Sequence, residues 1–189
     1  DGGDGDDAGW TLPNPAMRSV LEAAVAELLD LRGDERVLEV GAGRGALTRA
    51  LAPSAARWVG LDVDPASLEV GRDAMEAAGL AHKVELRAGR LEKSARRLLT
   101  TYGRFDVALL NPMRRPLGGP AMESLDALGI RRVVYVGPSP VAAARDLAVL
   151  SGLTRPLTVR RAIPVDLYPG TYHVLVIAQS RPLVAVGEP

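Results

Sequence analysis

Short unbroken apolar runs alternate with amphipathic segments along most of this chain, and that alternation restricts the fold more than any other feature. The runs Arg36–Val40, Trp58–Asp62, Val84–Arg87, Phe105–Leu110 and Arg132–Val136 lack clean polar alternation, as expected of strands covered on both faces. Between them, helical spacing predicts helices near 45–52, 65–78, 90–101, 120–128 and 140–151. Two of these open with a capping side chain followed by proline, Asp64-Pro65 and Ser139-Pro140. Upstream, Asn14-Pro15 and the apolar residues Val20, Leu21, Ala24, Val25, Leu28 and Leu29 predict one more helix, ended by Gly33. Two β-rich stretches, about 155–163 and 173–179, close the chain with no helical pattern between them. This order predicts an α/β fold: a doubly wound Rossmann-like sheet of seven strands, mostly parallel, with an antiparallel C-terminal strand.

Composition removes several kinds of chemistry. The 189 residues include no cysteine, which excludes disulfides, cysteine-ligated zinc, iron–sulfur clusters and thiol nucleophiles. The two histidines, His82 and His173, lie far apart, so no histidine-rich metal site is expected. No apolar run approaches the ~20 residues of a bilayer span and none resembles a signal segment, so a soluble, cytoplasmic protein is expected. The polar, glycine-rich residues 1–9 are expected to form a disordered acidic lead, residues 10–182 a single domain, and residues 183–189 a tail. The chain has no initiator Met, as a piece of a longer protein would lack one. Its zero net charge conceals a division: residues 1–82 have 7 basic and 15 acidic side chains, residues 83–189 have 16 basic and 8 acidic.

The segment Val37-Leu38-Glu39-Val40-Gly41-Ala42-Gly43-Arg44-Gly45 follows the first predicted strand and opens a helix. Glycines there permit a tight turn and let a ligand approach main-chain N–H groups. Asp62 ends the second strand, where a carboxylate can accept hydrogen bonds from both hydroxyls of a ribose. Gly41, Gly43 and Ala46 also satisfy a dinucleotide pattern. Glu39, however, stands where an ammonium group could be held, and S-adenosylmethionine, with an ammonium and a sulfonium but no pyrophosphate, fits an acidic rim better. The expected cofactor-binding residues are Glu39, Gly41, Ala42, Gly43, Gly45, Asp62, Val63, Leu91 and Asn111. Val63 and Leu91 are expected to pack on adenine, because Arg90 stands where methyltransferases of this fold often have an acid for the adenine amine, and a guanidinium cannot accept that bond.

Four further segments fall in a telling order: Phe105 to Arg115 with Asn111-Pro112-Met113-Arg114, then Val133 to Pro140, Ala144-Arg145-Asp146-Leu147, and Val165 to Val174. With Trp10 to Pro15 ahead of them, they resemble the catalytic domain of the RNA (uracil-5)-methyltransferase family over about residues 10–180. The resemblance implies a methyltransferase-like domain that takes S-adenosylmethionine and acts on RNA, with an oligonucleotide-binding domain ahead of it that this chain does not contain. It also implies a structural pairing of Arg145 with Asp146. The family's thiolate adds to uracil carbon 6 and its glutamate-class base later removes the carbon-5 proton. Pro138 occupies the cysteine position and Leu175 the glutamate position, while Asn111, Met113 and Leu12 replace the family's Asp, second Pro and Gln.

Three readings follow. Asn111-Pro112 resembles the start of the motif that methylates exocyclic amines, which makes Asn111 the candidate catalytic residue, although no aromatic follows it. Alternatively the domain is a catalytically inactive binder of S-adenosylmethionine and RNA, or an interaction module only. Arg114 and Arg115 are the candidate RNA contacts beside the active-site mouth. His173 is expected as a packed strand residue, Arg96-Arg97 as a solvated helix face, and Trp10, Tyr102, Tyr168 and Tyr172 as hinge packing.

Overall fold

The computed structural model describes residues 16–112, 116–166 and 174–182. Fourteen residues form the first helix, α1 (Ala16–Leu29), which turns its Leu21, Val25, Leu28 and Leu29 into the interior. Then come β1 (Arg36–Val40), α2 (Ala46–Leu51), β2 (Arg57–Asp62), α3 (Pro65–Ala77), β3 (Val84–Ala88), α4 (Leu91–Tyr102), β4 (Val107–Leu110), α5 (Gly119–Ala127), β5 (Arg132–Gly137) and α6 (Pro140–Leu150). The last two strands are β6 (Leu157–Val165) and β7 (Leu175–Pro182).

The strand order is β3-β2-β1-β4-β5-β7-β6. Strands β1 to β5 pair in parallel, and β7 runs antiparallel to both β5 and β6. Adjacent strand residues face opposite layers. Val37, Val107, Leu109, Val134 and Ile177 pack with α1 and α2. Leu38, Val40, Ala108, Leu110, Val133 and Tyr135 pack with α4, α5 and α6. The runs at β1, β2, β4 and β5 are therefore strands buried on both sides, as their composition demands, whereas the Val84–Arg87 run forms the edge strand β3 and buries only Leu86. Both predicted caps form. The Asp64 carboxylate accepts from Ala66 N at 3.1 Å and the Ser139 hydroxyl from Ala142 N at 3.2 Å, each followed by proline.

The bounds of β4, β6 and β7 shift by two or three residues from those expected. The run from Phe105 predicts strand from that residue, yet β4 begins at Val107. Phe105 N donates to Leu128 O and Asp106 N to Arg36 O, so these two residues tie the strand's entry to the end of α5 and to β1 before the ladder begins. β1 and β4 pair side by side, and the chain leaves them toward opposite layers, to α2 and α5; this leaves a crevice at the carboxyl ends of the strands, where ligands bind in sheets of this topology. The acidic lead, Leu12, Asn14-Pro15, Met113, Arg114, Arg115, Tyr168, Tyr172, His173 and residues 183–189 lie outside the described residues.

Candidate functional site

The turn after β1 owes its shape to three glycines with positive φ: Gly41 at 86°, Gly43 at 51° and Gly45 at 79°. At Gly41 the reason is contact. A Cβ there would lie 2.2 Å from the carbonyl oxygen of Asn111, so only glycine lets the β1 turn meet the segment leaving β4. At Gly43 a Cβ would meet nothing within 4 Å, and this is where the turn leaves room.

The main-chain N–H groups are used differently from the sequence expectation. Gly41 N and Ala42 N both donate to Leu61 O, at 2.8 and 3.0 Å, Gly45 N donates to Ala42 O, and Gly43 N donates to Asp62 Oδ2 at 2.8 Å. A pyrophosphate needs such groups free at a helix start. Here the loop spends them on itself and on the neighbouring strand, which disfavours a dinucleotide. Asp62 Oδ1 accepts from Asp64 N at 2.9 Å, so both carboxylate oxygens are oriented by backbone while lone pairs remain to face outward.

A cleft of about 320 Å³ opens beside this turn, lined by Gly41, Asp62, Val63, Leu91 and Asn111, with Arg90, Glu92, Pro112, Pro116 and Leu117 around them. Five of the predicted residues thus come together. Val63 is 69% exposed at its rim and Leu91 is buried in its wall. Glu39, Ala42, Gly43 and Gly45 stand outside the lining. Ala42 is buried against α3, and Glu39 is wholly buried, its Oε2 accepting from Thr48 Oγ1 at 2.5 Å and from Trp58 Nε1 at 2.8 Å. Glu39 Oε1 has no partner among the described residues. Burial pushes the Glu39 carboxyl up from 4.5 to about 7, with the Asp62 charge adding to the effect and the Thr48 and Trp58 bonds opposing it.

Asn111 N donates to Val40 O at 2.8 Å, and its Nδ2 donates weakly to Gly41 O at 3.4 Å, which fixes the residue at the cleft floor. Arg90 turns its guanidinium onto Glu92, Nε to Oε1 at 2.9 Å, so a carboxylate stands at the rim after all. Nothing in the sequence marks Glu92, an acid in a helix first turn like many others; only the fold brings it to the cleft.

Asp146 was expected to pair with Arg145. It instead accepts from Leu117 N at 2.7 Å, Gly118 N at 2.9 Å and the Tyr135 hydroxyl at 2.6 Å, while the Arg145 side chain is exposed. The buried Asp146 thereby anchors the far end of the segment that starts at Asn111. Adjacent helix residues cannot face each other, which is why the sequence pairing fails. Leu175 is 6% exposed and packs in the apolar cluster under α1, and Pro138 is half-buried between β5 and the Ser139 cap.

A family model described as a methyltransferase domain matches residues 37–117. The chain is 34% identical over 172 residues to the 23S rRNA (uracil(1939)-C(5))-methyltransferase of Dechloromonas aromatica, covering 89% of this chain and 39% of that protein. It is also 34% identical over 161 residues to the enzyme of the same name from Klebsiella pneumoniae, covering 85% and 36%. The chain therefore spans under two fifths of the length of these relatives. Among solved structures, the Pyrococcus abyssi tRNA (uracil-54, C5)-methyltransferase in complex with S-adenosyl-L-homocysteine superposes with a TM-score of 0.75 at 21% identity, over 92% of this chain and 40% of that one. The N-methyltransferase NodS of Bradyrhizobium japonicum superposes at 0.72 with 16% identity, over 94% and 93%. At those identities the superpositions speak for the fold. The sequence matches, the order of motifs and the sheet agree: the chain is a methyltransferase-fold domain related to the RNA (uracil-5) methyltransferases.

Proposed function

We propose that the cleft holds S-adenosylmethionine and that the domain transfers its methyl group to RNA by a route that needs no thiolate. The observation that carries this reading is a cleft that gathers Gly41, Asp62, Val63, Leu91 and Asn111, taken with Pro138 and Leu175, which the resemblance assigns to the family's two reacting positions and which have no acid–base or nucleophilic chemistry. Two features fit the cofactor. The turn leaves open space at Gly43, and the buried Glu39 Oε1 is an unmet acceptor that an ammonium, directly or through an ordered water, would satisfy. Asp62 would accept from the ribose hydroxyls, and Val63 and Leu91 would sandwich adenine with Glu92 at the rim.

S-adenosylmethionine supplies an electrophilic methyl on a sulfonium. The chain's task is to bring a nucleophile in line with it and to exclude water. With Nδ2 engaged by Gly41 O, the Asn111 side chain has Oδ1 to offer an exocyclic amine as acceptor, and Pro112 stiffens the backbone beside it. The RNA partner reading rests on the names of the relatives and on the basic second half of the chain, with Arg114 and Arg115 next to Pro112–Met113. The share of those relatives that this chain leaves uncovered agrees with a separate oligonucleotide-binding domain ahead of it.

A second reading, binding of cofactor and RNA without turnover, is favoured by one feature: Met113 and Arg114 follow Pro112, so no aromatic ring stands there to stack on the base. Incubation with methyl-labelled cofactor and total RNA separates the two. Label in RNA that disappears with Asn111→Ala supports methyl transfer to an amine. Label found at carbon 5 of uracil contradicts the proposed route, and saturable cofactor binding with no label selects the second reading.

A further inference from the structure

A second cleft, of about 330 Å³, lies on the α4 side of the edge strand β3. Its floor is apolar, formed by Leu61, Leu86 and Leu98, and its walls bring together arginines from separate elements: Arg72 of α3, Arg87 of β3 and Arg97 of α4. Arg57 of β2 joins them through Tyr102, whose ring it shares with Arg87, the two guanidinium carbons lying 5.4 and 5.3 Å from the ring centroid. Three guanidinium groups thus line the cleft and Arg57 adjoins it, against a single lining carboxylate among the described residues, Glu85, which pairs with Arg87 at 2.6 Å and Arg57 at 3.3 Å. Arg72 is held by two bonds to the edge carbonyl of Leu86, at 3.3 and 3.0 Å. Three of the four heads are therefore held in place before any ligand arrives, which lowers the ordering cost of binding. Arg97 is exposed, and its guanidinium has no hydrogen bond or ion pair among the described residues.

Two features give this cleft a direction. It follows β3 from Glu85 to Ala88, a span of about 10 Å at ~3.3 Å per residue, longer than one phosphate group. It also shares the Leu61 side chain with the cofactor cleft, and Ala88 of one cleft is followed in the chain by Gly89 of the other. From β4, where Asn111 leaves the sheet, to β3 is three strand spacings, about 14 Å. Resting on the RNA reading above, we propose that the Arg57–Arg72–Arg87–Arg97 cleft docks the phosphate backbone of the RNA strand whose target base enters beside Asn111. An extended polyanion matches charges spread along a strand edge better than a small anion, and planar guanidinium forks suit phosphate oxygens.

The test is binding of a labelled single-stranded RNA to the full chain at several salt concentrations, with wild type, Arg97→Glu, Arg97→Ala and, as a control of equal charge change on the exposed face of α6, Arg145→Glu. Arg97→Glu is expected to weaken RNA binding by about fivefold or more, and Arg97→Ala to reduce the salt slope by ~0.7, the share of one phosphate contact on a single strand. Arg145→Glu is expected to stay within about twofold of wild type, and S-adenosylmethionine binding to be the same in all four. Equal weakening by Arg97→Glu and Arg145→Glu, or no effect of either, overturns the docking surface while leaving the RNA reading intact. A wild-type chain that holds no RNA even at low salt overturns the RNA reading and the docking surface together.

Discussion

Glu39 gives the residue scale its clearest test, because its carboxyl is wholly buried and only Oε2 is bonded, to Thr48 and Trp58. Burial, reinforced by Asp62, raises its folded value from 4.5 to about 7, so the folded chain retains a proton that the unfolded chain gives up between those values. The stabilising contribution of this group is full below pH 4.5 and is lost as pH rises to about 7. Glu39→Gln cannot ionise. Without cofactor, its stability relative to wild type should climb across that window and level off above it, by up to roughly 3 kcal/mol, in denaturant titrations at several pH values. The opposite dependence is expected for cofactor binding. An ammonium near Glu39 favours the carboxylate, so wild-type affinity should rise with pH up to about 7, and the rise should vanish in Glu39→Gln. At Gly41 the Asn111 carbonyl leaves no space for a methyl, and a positive φ adds ~1–2 kcal/mol of strain for alanine; Gly41→Ala should lower Tm and abolish cofactor binding. Leu175→Glu, which introduces the glutamate that the family resemblance places at this position, puts a carboxylate into the cluster under α1 and should destabilise by ~3 kcal/mol or more, with no gain of methyl transfer, as thermal melting and labelled-cofactor assays would show.

At the scale of elements, the segment between β4 and α5 is held at both ends. Asn111 is bonded to Val40 and Gly41 on β1 and its turn, and Leu117 and Gly118 are bonded to Asp146 on α6, with the Tyr135 hydroxyl of β5 completing the carboxylate's partners. Leu117 is also a wall of the cleft proposed for the cofactor. Asp146→Asn keeps the shape but cannot accept from both N–H groups with a charge, so Leu117 and Gly118 should lose hydrogen-exchange protection and cofactor affinity should fall. A core substitution chosen for the same drop in Tm, such as Leu150→Ala, should leave affinity unchanged. If both variants lose affinity equally, Asp146 is merely structural. Tyr135→Phe, which leaves the carboxylate in place, should cost ~1–2 kcal/mol and spare the exchange protection of Leu117. The elements themselves were readable in the chain because strand runs, helical spacing and the Asp64-Pro65 and Ser139-Pro140 caps are local signals. Asp146's role was not: its partners lie 11, 28 and 29 positions away and two of them are backbone groups, which no side-chain pattern reports.

At the scale of the molecule, the division of charge by sequence is not a division by surface. Arg72 comes from the acidic half, yet it lines one cleft with Arg87 and Arg97 beside β3, and Arg57 of the same half adjoins that cleft through Glu85 and Tyr102. Glu39, from the same half, lies inside the protein rather than at an acidic rim. The topology and the meeting of Gly41, Asp62, Val63, Leu91 and Asn111 in one cleft follow from motif order, since a doubly wound sheet brings the carboxyl ends of β1, β2 and β4 together. The internal use of the turn's N–H groups and the Arg90–Glu92 pair depend on side-chain packing that order alone does not set. Everything proposed for this domain begins with occupancy of that cleft. The most direct measurement is a calorimetric titration of the chain with S-adenosylmethionine at neutral pH, alongside Asp62→Ala. One-to-one saturable binding that Asp62→Ala weakens at least tenfold, about 1.4 kcal/mol, is the predicted result; no detectable heat at millimolar ligand, or equal binding by the variant, would contradict it.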